Sequence, residues 1–149
     1  MISKEEIQQE IEKFKKEINL PEIRIPEEIS VILNFSRQEL KIRNKEDLAI
    51  DIIRLAQYSI YLKLQLNRYR AVTNWCDANI NSIVGRELQN TNGYGYIEKS
   101  TIIKRNDKDA NNLVNIKVFA ETKIHTLEDV DRKLEFMAQS MKGLIFQKD

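Results

Sequence analysis

Arg54, Tyr61, Arg68 and Trp75 recur every seven residues, and Tyr58 and Gln65 stand one turn away on the same side. Lys63 and Arg70 share the opposite flank, and Arg86 follows further along. Guanidinium and ammonium groups neutralise phosphates and release their counterions, a strong attraction that is independent of base sequence. Aromatic rings interleaved with them offer stacking surfaces worth roughly 1–3 kcal/mol per base in single-strand binders. Arg54, Lys63, Arg68, Arg70 and Arg86, with Tyr58, Tyr61 and Trp75, are therefore the candidate nucleic-acid contacts. The same residue types at heptad spacing also suit the rim of a helical bundle, where long basic side chains cover apolar surface. Spacing alone leaves a binding rod and a purely structural one both open.

Other chemistry lacks its parts. The one histidine, His125, has no cysteine or second histidine at ligand spacing, which argues against a metal site or a general base. Cys76 falls on an apolar seam and reads as a small buried hydrophobe rather than a nucleophile. Gly93-Tyr94-Gly95 lacks the preceding strand, the lysine and the helix start of a phosphate-cradling loop, and reads as a flexible loop. Acids such as Glu10, Glu12, Glu128 and Asp129 fit a solvated helix face. The expectation is a protein that is not an enzyme, with no catalytic residues, metal or cofactor.

The elements that must carry these residues are long helices. Of the 149 residues, 42% are apolar and 32% charged, with four Gly and two Pro. So few turn formers leave little material for a sandwich or barrel. Net charge is +1, yet it is unevenly placed: residues 1–28 hold eight acids and five bases, whereas 52–86 hold five bases and one acid, Asp77. The positive field is local to the middle of the chain. No secretory signal follows Met1, no run approaches the roughly 20 apolar residues of a spanning helix, and one cysteine fits a reducing compartment. A soluble protein of the cytoplasm, without a membrane partner, is expected.

Ser3 and Glu6 form a capping box ahead of a helix over about 4–18, with Ile7, Ile11, Phe14 and Ile18 as its stripe and Leu20-Pro21 as its stop. Pro26 suits the first position of a helix over about 27–43, and Asn44 caps a fresh start. From Leu48 a seam runs through Ile52, Leu55, Ser59, Leu62, Leu66, Tyr69, Thr73, Cys76, Ile80 and Ile83, predicting one helix over 46–88, about 65 Å long. Residues 96–105 are rich in β-branched side chains and predict a short strand or extended arm.

After a cap at Asp107 or Asp109, Leu113, Ala120, Leu127, Leu134 and Met141 recur every seven residues. Ile116, Lys123, Val130, Met137 and Leu144 recur three places later. The spacing predicts a coiled-coil-like helix whose seam (Leu113, Ile116, Ala120, Leu127, Val130, Leu134, Met137, Met141 and Leu144) joins copies of the chain. The expected organisation is all-α and oligomeric within one domain. It comprises helices and the long basic helix over 1–88, a loop or arm over 89–106, and an assembly helix over 107–149.

In this arrangement the chain resembles the UvsY family of recombination mediators from T4-like bacteriophages. The matching stretches cover most of its length. They are Glu5-Glu6-Ile7-Gln8-Gln9-Glu10-Ile11 with the Ile25-Pro26 entry, and Tyr61-Leu62-Lys63 through Leu66-Asn67-Arg68-Tyr69-Arg70. Tyr96-Ile97-Glu98-Lys99-Ser100 with Asn106-Asp107-Lys108-Asp109 follows, then Val114-Asn115-Ile116-Lys117-Val118 to Lys142-Gly143-Leu144-Ile145. The segment Ala71–Asp77 departs from the tyrosine- and glycine-containing cluster that family members carry there. The resemblance implies a ring-like homo-oligomer built through the C-terminal helix. It implies binding of single-stranded DNA, and loading of a RecA-like recombinase onto strands coated by single-strand-binding protein in the host cytoplasm. Lys63, Arg68 and Arg70 would correspond to the basic DNA contacts. Two rivals stand beside it: a scaffolding coiled-coil oligomer with no nucleic-acid ligand, and an adaptor whose first helix docks in a partner's groove.

Overall fold

A computed structural model describes residues 3–18 and 24–148. The described residues form six α-helices and no strand: α1 (Lys4–Ile18), α2 (Glu27–Leu33), α3 (Arg37–Ile42), α4 (Lys45–Glu87), α5 (Tyr96–Asn106) and α6 (Lys108–Gln147), with a 3-10 turn over Leu88–Asn90. The all-α class expected from the composition is thus what forms.

Side chains start the helices where their hydrogen-bonding chemistry demands it. Ser3 Oγ accepts from the Glu6 N–H at 3.2 Å while the Glu6 carboxylate accepts from the Ser3 N–H at 2.9 Å, the reciprocal box that opens α1. Asn44 Oδ1 accepts from the Asp47 N–H at 2.8 Å ahead of α4, and Asp107 Oδ1 accepts from the Ala110 N–H at 2.9 Å ahead of α6. The expected stop at Leu20-Pro21 lies outside the described residues.

Two expectations are corrected. The single helix over 27–43 is two, because Ser36 caps α3 by accepting from the Glu39 N–H at 3.1 Å, and the chain turns at Asn34. Pro26 accordingly sits one place earlier than expected, as the N-cap of α2. The strand or arm over 96–105 is helix α5. Ile103 and Ser100, three residues apart, are buried on one face of it, and that burial outweighs the β preference of its isoleucines and threonine. Gly95, at φ +99°, supplies the left-handed turn into α5, and the Tyr94 N–H donates to the Glu98 carboxylate.

The chain divides into two compact units. The first holds the described residues of 1–21 with 68–124. Its core gathers Ile7 and Ile11 of α1, Cys76, Ile80, Ile83 and Val84 of α4, Ile103 of α5, and Ala110, Leu113 and Ile116 of α6. Phe14, Val72, Trp75, Leu88 and Val114 pack against it.

The second unit holds those of 22–67 with 125–149. It buries Ile29, Ile32, Leu40, Leu48, Leu55, Leu62, Leu66, Leu127, Leu134 and Met141. Here α6 meets α4 through Ser59 Oγ, which donates to Asp131 at 2.6 Å. The corner from α2 to α4 closes on Arg43. Its guanidinium lies 4.8 Å from the centre of the Phe35 ring and 2.7 Å from buried Asp51, an ion pair without hydrogen-bond geometry.

The first row of the α6 seam, together with Ile116, is corrected as well. Leu113, Ala120, Leu127, Leu134 and Met141 are each at most 6% exposed within one chain. A residue already surrounded by its own chain cannot also be the knob that enters another copy. In the second row Ile116 is buried too, while Val130, Met137 and Leu144 are half-buried. Lys123, the polar member of that row, sits over the Phe119 ring at 5.5 Å.

Candidate nucleic-acid interface

In the second unit, Arg54 and Lys63 are exposed on α4 and both have acidic neighbours. Arg54 lies 3.8 Å from Asp51, and Lys63 lies 3.7 Å from Glu135 of α6. The Lys63–Glu135 pair is exposed and contributes about 0–1 kcal/mol, so a phosphate competes readily for that base, whereas Arg54 faces a buried carboxylate that Arg43 approaches more closely, at 2.7 Å. Tyr61 is exposed and stacks at 5.8 Å on Tyr58. Tyr58 itself is buried, and that burial, with Tyr61 beside it, pushes its hydroxyl up from the usual phenol range. Its ring cannot receive a base.

In the first unit, Arg68, Arg70 and Arg86 are exposed. Arg68 and Arg86 are 18 residues apart, five whole turns, and so lie on one side of α4. Asp77, the lone acid of 52–86, is occupied: Lys117 of α6 holds it at 2.6 Å. That hydrogen bond, more than the charges around it, raises the lysine's pKa despite partial burial. The one acid of the basic stretch is thus neutralised from another helix, as Lys63 is offset by Glu135.

Trp75, expected to stack on bases, belongs to the core. Its ring lies 5.4 Å from that of Phe14 at 55°, in a tilted pair between α4 and α1. Trp75 and Tyr58 are thus withdrawn from the stacking set, because an apolar partner is available inside the chain for each ring. Cys76 beside Trp75 is fully buried, and burial first, then Asp77, pushes its thiol up to about 11. It is a packing residue.

Sequence reasoning missed the segment that follows. Tyr94 is 97% exposed and Tyr96 is exposed as well, with Lys104 and Arg105 exposed on α5. Gly93 and Gly95 flank Tyr94, and glycines that strip side chains from both sides of a tyrosine were the available signal. The groove lined by Glu87, Asn90, Asn92, Ile102, Asn106 and Asp107 carries two acids and does not suit a phosphate.

Among the described residues no group of three or more His, Cys, Asp or Glu is placed to hold a metal ion, and no helix is long and apolar enough to cross a membrane. Fold and surface together define an all-α protein with exposed bases and tyrosines and a buried apolar core in each unit. Comparison with family models, with curated proteins and with solved structures finds no match.

Proposed function

We propose that this chain is a single-stranded DNA-binding recombination mediator with no chemistry of its own. It assembles as a homo-oligomer, holds DNA on the bases of α4, and loads a RecA-like recombinase onto strands coated by single-strand-binding protein. The observation that carries this reading is the charge of residues 52–86: five bases against one acid, that acid already paired with Lys117. The resemblance to phage recombination mediators supports the same reading. Tyr94 and Tyr96, exposed in the first unit, offer further stacking surface. Five bases on one chain bind weakly at physiological salt, whereas several copies add their contacts through effective concentration.

Lys63→Ala with Arg68→Ala and Arg70→Ala tests it, since all three side chains are exposed, with an unchanged far-UV circular dichroism spectrum as the control for folding. The expected result is weaker binding of labelled oligo-dT, with the slope of log K against log salt flattened by about 2, roughly 0.7 for each lost phosphate contact. Unchanged affinity and slope would contradict the assignment. A scaffolding oligomer without a nucleic-acid ligand is the second reading, favoured by the acidic neighbours of Arg54 and Lys63. It requires that oligo-dT not bind even at low salt.

A further inference from the structure

The heptad seam of α4 faces the chain's own core, but the opposite side of the same helix is also apolar. Ile50, Ile53, Ile60, Tyr61 and Leu64 are all large and between 42% and 63% exposed. They fall at spacings of three, seven, one and three, one continuous strip about 21 Å long from Ile50 to Leu64. The other exposed large apolar residues of this unit include Phe136 and Phe146 on α6, ten residues apart and so not on one stripe.

Five half-exposed side chains of this size make an apolar patch of roughly 500 Å², near the top of what a monomer leaves uncovered. Two such patches meeting bury roughly 1,000 Å², about the least that a specific interface needs.

The order of residues along the strip says what covers it. Gln57 is its exposed midpoint. Ile50 and Leu64 lie seven residues to either side of it, and Ile53 and Tyr61 lie four to either side. Arg54 and Ile60 lie three to either side. A two-fold axis through Gln57, with a second copy's α4 antiparallel, sets Ile50 against Leu64 and Ile53 against Tyr61, each pair twice. The aliphatic stem of Arg54 then lies against Ile60. Gln57 meets itself, and a carboxamide both donates and accepts, so it is its own complement. A lone polar group on an apolar seam also fixes register. A surface that matches itself under a two-fold rotation is what an isologous contact requires.

Charge allows it. Asp51, the one acid between 50 and 64, is buried, and the two bases there, Arg54 and Lys63, each have an acid of their own chain within 4 Å. No like charges confront each other across the axis.

We infer that the outer face of α4, from Ile50 to Leu64, is the surface on which a second copy of this chain docks, antiparallel about Gln57. The inference supplies the self-contact that the proposed function needs and in that sense rests on it, though its grounds are exposure and spacing rather than charge.

Ile60→Glu with Leu64→Glu tests the strip, because both side chains are 63% exposed and the core does not use them. Far-UV circular dichroism should be unchanged, while sedimentation velocity at micromolar concentration should show the wild-type oligomer replaced by a species of half its mass or less. Gln57→Cys provides an independent readout: mild oxidation should yield a covalent dimer, because a residue on the axis faces its own copy. The wild-type chain, whose Cys76 is fully buried, should yield none. A folded glutamate variant of native size, or a Gln57→Cys protein that does not cross-link, overturns the inference. So does a monomeric wild type, which would leave the strip for a different chain. Oligo-dT binding measured on the same wild-type sample reports separately on the proposed function, so the two can fail apart.

Discussion

Trp75 and Tyr94 show how one residue class serves two purposes in this chain. Trp75 packs at a tilt against Phe14 and helps hold α1 against α4, whereas Tyr94 stands between two glycines with its ring in solvent. Their substitutions should therefore separate. Trp75→Ala should lower the free energy of unfolding by roughly 3 kcal/mol, the cost of emptying a large aromatic site, read from the urea midpoint. Tyr94→Ala should leave that midpoint within experimental error while weakening oligo-dT binding. The reverse pattern would mean that Trp75, not the 93–96 segment, is the stacking residue. Heptad spacing could not separate the two roles, because an aromatic on the flank of a seam looks the same whether α1 covers it or nothing does. Asp77 was equally illegible: its neutralisation depends on Lys117, forty residues away in sequence.

At the scale of the element, polar side chains spoke more clearly than apolar ones. Ser3, Asn44 and Asp107 mark helix starts that the structure reproduces, since a cap satisfies backbone groups within four residues and needs no tertiary partner. Ser36 carries the same signal, with Glu39 three residues on, but it lies inside a longer apolar pattern that hides the break. Helix α5 was not legible, because Ile103 is helical only by virtue of the core it enters. The seam of α6 was legible as a seam but not as to its partner, for a seven-residue repeat records that something covers the stripe and not which chain provides it. This carries a prediction. Leu127→Asp with Leu134→Asp should not release folded monomers but should unfold the protein, since each carboxylate would be buried without a partner at a cost of several kcal/mol. Loss of the far-UV helical signal, or of cooperative melting, is the expected result. A folded, monomeric double variant would restore α6 as the assembly helix.

In the whole molecule, helical cores that need no partner carry an outer surface that is not self-sufficient. The cores of the two units bury the first row of the α6 stripe and most of the inner seam of α4. The outside keeps an aliphatic strip on α4 and an excess of bases whose one acid is occupied. The first feature favours association with like chains and the second favours a polyanion. Neither is strong alone: a single chain offers too few bases for useful affinity at physiological salt, and the proposed assembly would gather them. Sedimentation velocity of the unmodified protein with fluorescein-labelled oligo-dT, detected by both protein absorbance and dye, measures both properties at once. The account predicts a homo-oligomer that carries the dye at low salt and releases it, still assembled, as salt rises. A folded monomer whose boundary never carries the dye would contradict it.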